Sequence, residues 1–278
     1  MPDAADRACG REPVATGARQ DGAGAAMSIV RGAQAESLLA FTADRLAQLA
    51  ADLRQRFAAA RPFPHVVIDG LLPEEVLDRV LQEFPTPSQI DWIRYDAPRE
   101  RKLESPGDAA LGAWTRHVLA QFNSSAFVTF LEQLTGLSGL VPDPHFSGGG
   151  LHQIEWGGYL SVHADFNWLH RLGLYRRVNV LLYLNKDWLE AYGGHLELWD
   201  AQMAGCVQRI LPSFNRCVIF RTSDTSYHGH PEALACPEGQ TRKSLAIYYY
   251  ASGCAGQRAP DEHSTRWQLR PGERPSPA

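Results

Sequence analysis

From about residue 140 the chain breaks into eight short β-like runs, at 151–155, 159–164, 177–184, 195–199, 207–211, 216–220, 226–230 and 242–250, with Gly, Pro, Asn and Asp between them. Short strands punctuated this closely by turn formers predict a sandwich or barrel of the jelly-roll kind. Upstream the period changes. Leu39, Ala43, Leu46, Leu49, Leu53 and Phe57 recur at helical spacing across 36–59, and Pro62-Phe63-Pro64 stops that helix before a strand at 65–69. Pro73 opens a second helix with Val76, Leu77, Val80, Leu81 and Phe84 on its apolar side. Two more helices are expected near 108–121 and 125–135, the latter capped by Ser124 or Ser125 and ended by Gly136. The expected fold is mainly β with helical support (α+β). A jelly-roll core over 141–252 packs against a helical segment at 36–140, and together they make one domain, 36–252.

At 278 residues the chain is long enough for one large domain with a sizeable core. Residues 1–35 are Ala/Gly-rich and lack an apolar segment, so they read as disordered rather than as a signal peptide, and Met27 is an alternative start. Residues 253–278, rich in Pro, Gly, Arg and Glu, read as a loose tail. A net charge of −4 with no run of Lys or Arg argues against nucleic acid as a partner. No apolar stretch approaches the ~18 residues of a membrane span. Five scattered cysteines without a C-x-x-C pair argue against a disulfide framework and against structural zinc. A reducing, cytoplasmic setting is expected; no residue pattern specifies an oligomeric state.

His163-Ala-Asp165 carries the chemistry. Side chains alternate along a strand, so His163 and Asp165 share a face and can meet one ion. Two histidines and one carboxylate hold one face of Fe(II) and leave three positions open. The third ligand has to come from elsewhere. His228 follows the run at 216–220; His230 shares its strand face and is the alternative. His195 is read as supporting the site or facing substrate. In the run 242–250, alternation places Arg242, Ser244, Ala246 and Tyr248 on one face. A buried arginine needs an anion, either an internal carboxylate or the far carboxylate of a bound 2-oxo acid, which its planar fork grips in two parallel hydrogen bonds. Asn179, Leu181 and Tyr183 share a face in the same way, and the two polar members are candidates to bond that acid.

The strings GGYLSVHADFN (157–167), YLNKDW (183–188), YGGHLELW (192–199) and RKSLAIYYY (242–250) resemble, in this order, the prolyl 4-hydroxylase-like family of Fe(II)/2-oxoglutarate dioxygenases. The resemblance covers roughly residues 60–250. It implies a double-stranded β-helix core, Fe(II) held by His163, Asp165 and His228, and 2-oxoglutarate held by Arg242 with Tyr183. It also implies an oxygenase that consumes O2, hydroxylates an unactivated C–H bond of a small molecule or peptidyl side chain, and releases succinate and CO2. The presence of Asp165 favours hydroxylation or desaturation over halogenation, since related halogenases lack that carboxylate. One departure stands out: Arg242 lies 14 positions after His228, longer than is usual among prolyl hydroxylases, which keeps His230 open as third ligand. Nucleic-acid demethylases of the superfamily carry a second arginine where this chain has Tyr248, so that branch is set aside.

His152, Trp156, Trp168, Arg171 and His230, near strand ends, are the candidates to face substrate. Two rivals differ in class: a catalytically silent jelly-roll module that binds a carboxylate or sugar, and a cupin-type enzyme that uses another metal without an oxo acid. The full set of His, Asp, His and Arg argues against the first. Arg242 and Ser244 on one strand face argue against the second.

Overall fold

The computed structural model describes residues 41–253 and 261–274. The expected disorder at 1–35, the possible start at Met27 and the first residues of the helix expected from 36 lie outside them. Helix α1 (Ala43–Ala59) begins where Thr42 caps it by accepting from the Arg45 amide, and it buries Leu46, Ala50 and Phe57. Strand β1 (His65–Asp69) follows, then α2 (Glu74–Gln82), with Pro73 one position earlier than expected, at its N-cap. The helix expected near 108–121 is shorter. Asp108–Ala110 forms a single 3-10 turn that ends at the extended Leu111, and α3 proper is Ala113–Phe122. Helix α4 (Ser125–Thr135) is capped by Ser124 and ends at Gly136 in the left-handed conformation.

All the strands belong to one curled sheet, an antiparallel double-stranded β-helix. Its order is β1, β11 (Arg216–Arg221), β8 (Leu174–Tyr183), β13 (Arg242–Ala251), β5 (Gly150–Ile154), β3 (Glu100–Glu104), β6 (Tyr159–Ala164), β12 (His228–His230), β9 (Leu196–Trp199) and β10 (Cys206–Ile210), with β4 (Val141–Pro142) beside β13 and β7 (Trp168–Leu169) beside β8. The central members are β5, β6, β8, β11, β12 and β13. β9 and β10 complete one end. Alternation divides the two faces. Val178, Val180, Leu182, Cys217, Ile219, Leu245, Ile247 and Tyr249 point outward and form one core with the helices. Burying each such large apolar side chain contributes about 1.5–3 kcal/mol, so the helices fix the curvature of the sheet from behind. The opposite face, with Asn179, Tyr183, Arg242 and Ser244, lines the interior.

Two parts of the sheet differ from expectation. The hairpin β2 (Ile93–Ala97) and β3 (Glu100–Glu104) was not expected, because β3 is charged at four of its five positions and β2 is mostly exposed with an apolar–charged alternation of only five residues. Yet β3 pairs with both β5 and β6 and closes the sheet between them. The segment expected to be a loose tail contributes β14 (Arg266–Trp267), paired antiparallel with β6. The Gln268 amide donates to the Val162 carbonyl at 2.8 Å. Arg99 and Arg270 reach Glu273, at 3.3 and 3.4 Å, and Arg266 reaches Asp224. Trp267 and these ion pairs anchor what composition alone marked as tail.

Candidate active site

His163 on β6 and His228 on β12 are paired opposite each other. Three residues of β6 span the distance covered by two of β12, since His230 pairs with Leu160. Alternation keeps His228 and His230 on the same interior face, and the bulge in β6 puts His163 opposite the first and Leu160 opposite the second. Gly229 makes the approach possible: a Cβ there would stand 2.8 Å from the Leu160 carbonyl oxygen and 2.9 Å from that of Ser161. Gly229→Ala is therefore expected to push β12 off β6, lower stability by about 1–3 kcal/mol and weaken metal binding. A melting curve with and without metal checks this, and an unchanged melting temperature would show that the strands can separate freely.

Nε2 of His163 lies 3.6 Å from Oδ1 of Asp165, and Nε2 of His228 lies 3.5 Å from Oδ2. One ligand atom from each of the three residues falls within 4.8 Å of the others. Two ligands each about 2.1 Å from an ion stand about 3–3.6 Å apart, so the spacing suits one shared cation. Nδ1 of His163 lies 2.9 Å from the Ser161 carbonyl, and Nδ1 of His228 lies 2.9 Å from that of Ser226. A carbonyl can only accept, so each Nδ1 carries the proton and each Nε2 keeps its lone pair for the centre. Burial, the largest influence, pulls His228 down to about 4, which keeps it neutral and able to ligate. Burial alone would raise the Asp165 carboxyl, but Arg176, His228 and His163 together hold it well below the usual carboxylate range. His230 shares the strand face without joining the cluster.

Asp165 is held from behind. Asn179 donates Nδ2–H to its Oδ2 at 2.8 Å, and a terminal nitrogen of Arg176 lies 3.4 Å from the same oxygen. Arg176 in turn donates Nε–H to Asn179 at 2.8 Å and lies over the Tyr248 ring at 3.4 Å. Asn179, expected to bond the oxo acid, thus bonds the carboxylate ligand. Strict alternation would send Arg176 outward with Val178. The register of β13 slips between Tyr249, which pairs with Val178, and Tyr250, which pairs with Arg176, and the slip turns Arg176 inward.

In the same cavity, Arg242 is buried. It donates Nε–H to the Gly194 carbonyl at 2.8 Å and a terminal N–H to the Tyr183 hydroxyl at 3.3 Å. Among the described residues no carboxylate stands within ion-pair distance of it, so an internal salt bridge does not account for its burial. Gly194 leaves it room, because a Cβ there would meet Arg242 Cδ at 2.9 Å. The long insert after His228 does not disturb this geometry. Its Leu234 and Cys236 pack outward with Ile154 and Trp188.

The cavity between the two groups is also lined by His152, His230 and Ser244, as expected. Neither ring nitrogen of the buried His230 has a hydrogen-bond partner. Trp156 is 59% exposed, Arg171 is exposed in a turn, and Trp168 packs edge-on against Tyr175; none of the three lines the cavity. Trp156 and Arg171 sit in turns, and Trp168 lies in the short strand β7 (Trp168–Leu169). His195 is also outside it. Its Nε2 contacts Glu190 at 2.6 Å, and its neighbour Gly194 supports Arg242. The expectations missed Arg176, Lys102, Glu104 and Trp267. Trp267 packs on the His163 ring at 5.2 Å; the one available signal was an aromatic followed by Leu269 in a polar tail.

Residues 149–250 match the family model of the 2OG-Fe(II) oxygenase superfamily. The chain is 32% identical over 89 residues to prolyl 3-hydroxylase OGFOD1 of Xenopus laevis and 34% identical over 79 residues to that of Mus musculus. These matches cover 31% and 27% of this chain but only 17% and 14% of those longer relatives. A Pseudomonas putida prolyl-4-hydroxylase structure superimposes with a TM-score of 0.50 at 18% identity, covering 73% of this chain and 99% of that one. That likeness is one of fold.

Proposed function

We propose that this chain, whose residues 149–250 match the family model of the 2OG-Fe(II) oxygenase superfamily, is an Fe(II)- and 2-oxoglutarate-dependent hydroxylase. One observation carries the reading: three ligand atoms within 4.8 Å of one another share a cavity with a buried arginine that has no internal carboxylate. His163, Asp165 and His228 are assigned as the metal ligands, and their two-nitrogen, one-oxygen set suits Fe(II). Arg242, with Ser244 and Tyr183, is assigned to the far carboxylate of 2-oxoglutarate. The orphaned nitrogens of His230 fit a polar ligand lying along the same strand face.

Fe(II) with 2-oxoglutarate and O2 supplies the oxidising power for an unactivated C–H bond, with succinate and CO2 as coproducts. The chain's own residues provide placement. Asn179 and Arg176 fix the orientation of Asp165, and the Nδ1 contacts fix both imidazoles. Arg242 sets the distance between the diacid and the metal ligands. The apolar side chains of Ile154, Leu160, Leu181 and Leu196 line the cavity and keep water from the diacid's methylene chain. The substrate is a small molecule or a peptidyl side chain. The catalytic unit is a single domain spanning 36–252, completed by the strap at 261–274. Cys206, Cys217 and Cys236 are unpaired, which supports a reducing, cytoplasmic location; no described helix is long and apolar enough to cross a membrane.

Mixing the protein with Fe(II) and 2-oxoglutarate under anaerobic conditions is expected to give a weak visible charge-transfer band. Asp165→Ala should remove both the band and turnover. A silent carboxylate- or sugar-binding module would show neither the band nor uncoupled succinate, and that result would overturn the assignment.

A further inference from the structure

The unexpected hairpin lines a second recess of about 150 Å³ that reaches the metal ligands His163 and Asp165. Alternation on β3 turns Glu100, Lys102 and Glu104 to this side and sends Leu103 into the helical core. The charges do not cancel. Lys102 pairs with Glu100 at 3.4 Å, and Arg176, across the recess, is committed to Asp165. Glu104, 5% exposed, accepts a single hydrogen bond, from the Tyr95 hydroxyl at 3.3 Å. Among the described residues no cationic side chain stands within ion-pair distance of it. A carboxylate offers about four acceptor sites, and a buried one with a single neutral donor costs several kcal/mol unless a cation meets it. Burial pushes its carboxyl up, and Lys102 and Arg176, which act on it through space without pairing with it, offset that only in part.

Resting on the oxygenase reading above, we propose that Glu104 receives a protonated amine of the substrate, which is therefore a small amine-bearing molecule such as a free α-amino acid. An ammonium brings three N–H donors to a carboxylate that uses only one of its acceptor sites. The recess holds a group of amino-acid size, and the C–H bonds next to that amine face His163 and Asp165. Thr265 and Trp267 of the strap also line the recess, where Trp267 stands beside His163.

The test uses the full chain loaded with Mn(II) and 2-oxoglutarate, titrated calorimetrically with the common free amino acids and with their N-acetyl derivatives. At least one free amino acid is expected to bind, and its acetylated form about tenfold or more weakly. Glu104→Gln should weaken the free amine by a similar factor and leave 2-oxoglutarate affinity unchanged. Equal affinity for free and acetylated forms, no ligand among the free amino acids, or an unaffected Glu104→Gln variant overturns the proposal. The comparison of free and acetylated forms needs no variant, so a folding defect cannot mask it. The 2-oxoglutarate titration comes first; failure to bind in the unaltered protein would overturn the oxygenase reading, and this proposal with it.

Discussion

Replacing His228 with alanine is expected to abolish turnover and metal retention, whereas His230→Ala keeps the ion. The two histidines are two residues apart on one strand face, so chemistry alone does not separate them. Position does: Nε2 of His228 is 3.5 Å from Asp165, and His230 is opposite Leu160, one bulge further along. Losing a ligand should cost more than the roughly 10–100-fold in metal affinity that follows loss of an outer hydrogen-bond partner. His230→Ala should instead raise the Kd for 2-oxoglutarate about three- to tenfold, the worth of one hydrogen bond. Calorimetry with Co(II), then with 2-oxoglutarate, measures both. An ion lost from His230→Ala and kept by His228→Ala would reverse the assignment of the third ligand.

Arg242→Met is expected to remove most of the affinity for 2-oxoglutarate while the protein still folds and binds metal. The guanidinium holds the Gly194 carbonyl and the Tyr183 hydroxyl, leaving its remaining N–H groups for a carboxylate. Truncating one partner of a buried, hydrogen-bonded charge pair costs about 2–5 kcal/mol, a rise in Kd of roughly 30-fold or more. Burial already pulls this guanidinium below its usual pKa, so an arriving anion stabilises the charge that desolvation opposes. Folding should survive, because no internal carboxylate is left unpaired by the change. Arg242→Lys should recover only part of the loss, since an ammonium cannot form the two parallel bonds of the fork. Equal 2-oxoglutarate affinity in the Met variant and the parent would take Arg242 out of the site.

How much of this was legible before folding depends on the range of the interaction. Alternation is a local rule, so the shared faces of His163 with Asp165, Arg242 with Ser244 and Tyr248, and Asn179 with Tyr183 are correct in the sequence and line one cavity in the structure. The rule fails at bulges. One at Tyr249/Tyr250 turned Arg176 inward, and a register shift opposite β12 placed His228 rather than His230 beside His163 and Asp165. Hydrophobic patterning fails where a strand faces a polar cavity, which hid β2 and β3 and with them Lys102 and Glu104. Composition fails for a short segment held by a few long-range contacts, which hid Trp267.

Local residue patterns were enough for the strand-rich core, the helical layer behind it and the kinds of residue suited to a metal and a diacid. Those follow from periodicity, turn chemistry and donor type, all read within a few neighbours. Folding set which histidine stands beside Asp165, what holds Asp165 in place and which residues line the recess next to it. These depend on pairing between residues far apart in the chain, as with His163 opposite His228 and Trp267, and a one-residue slip in such pairing changes which side chains meet.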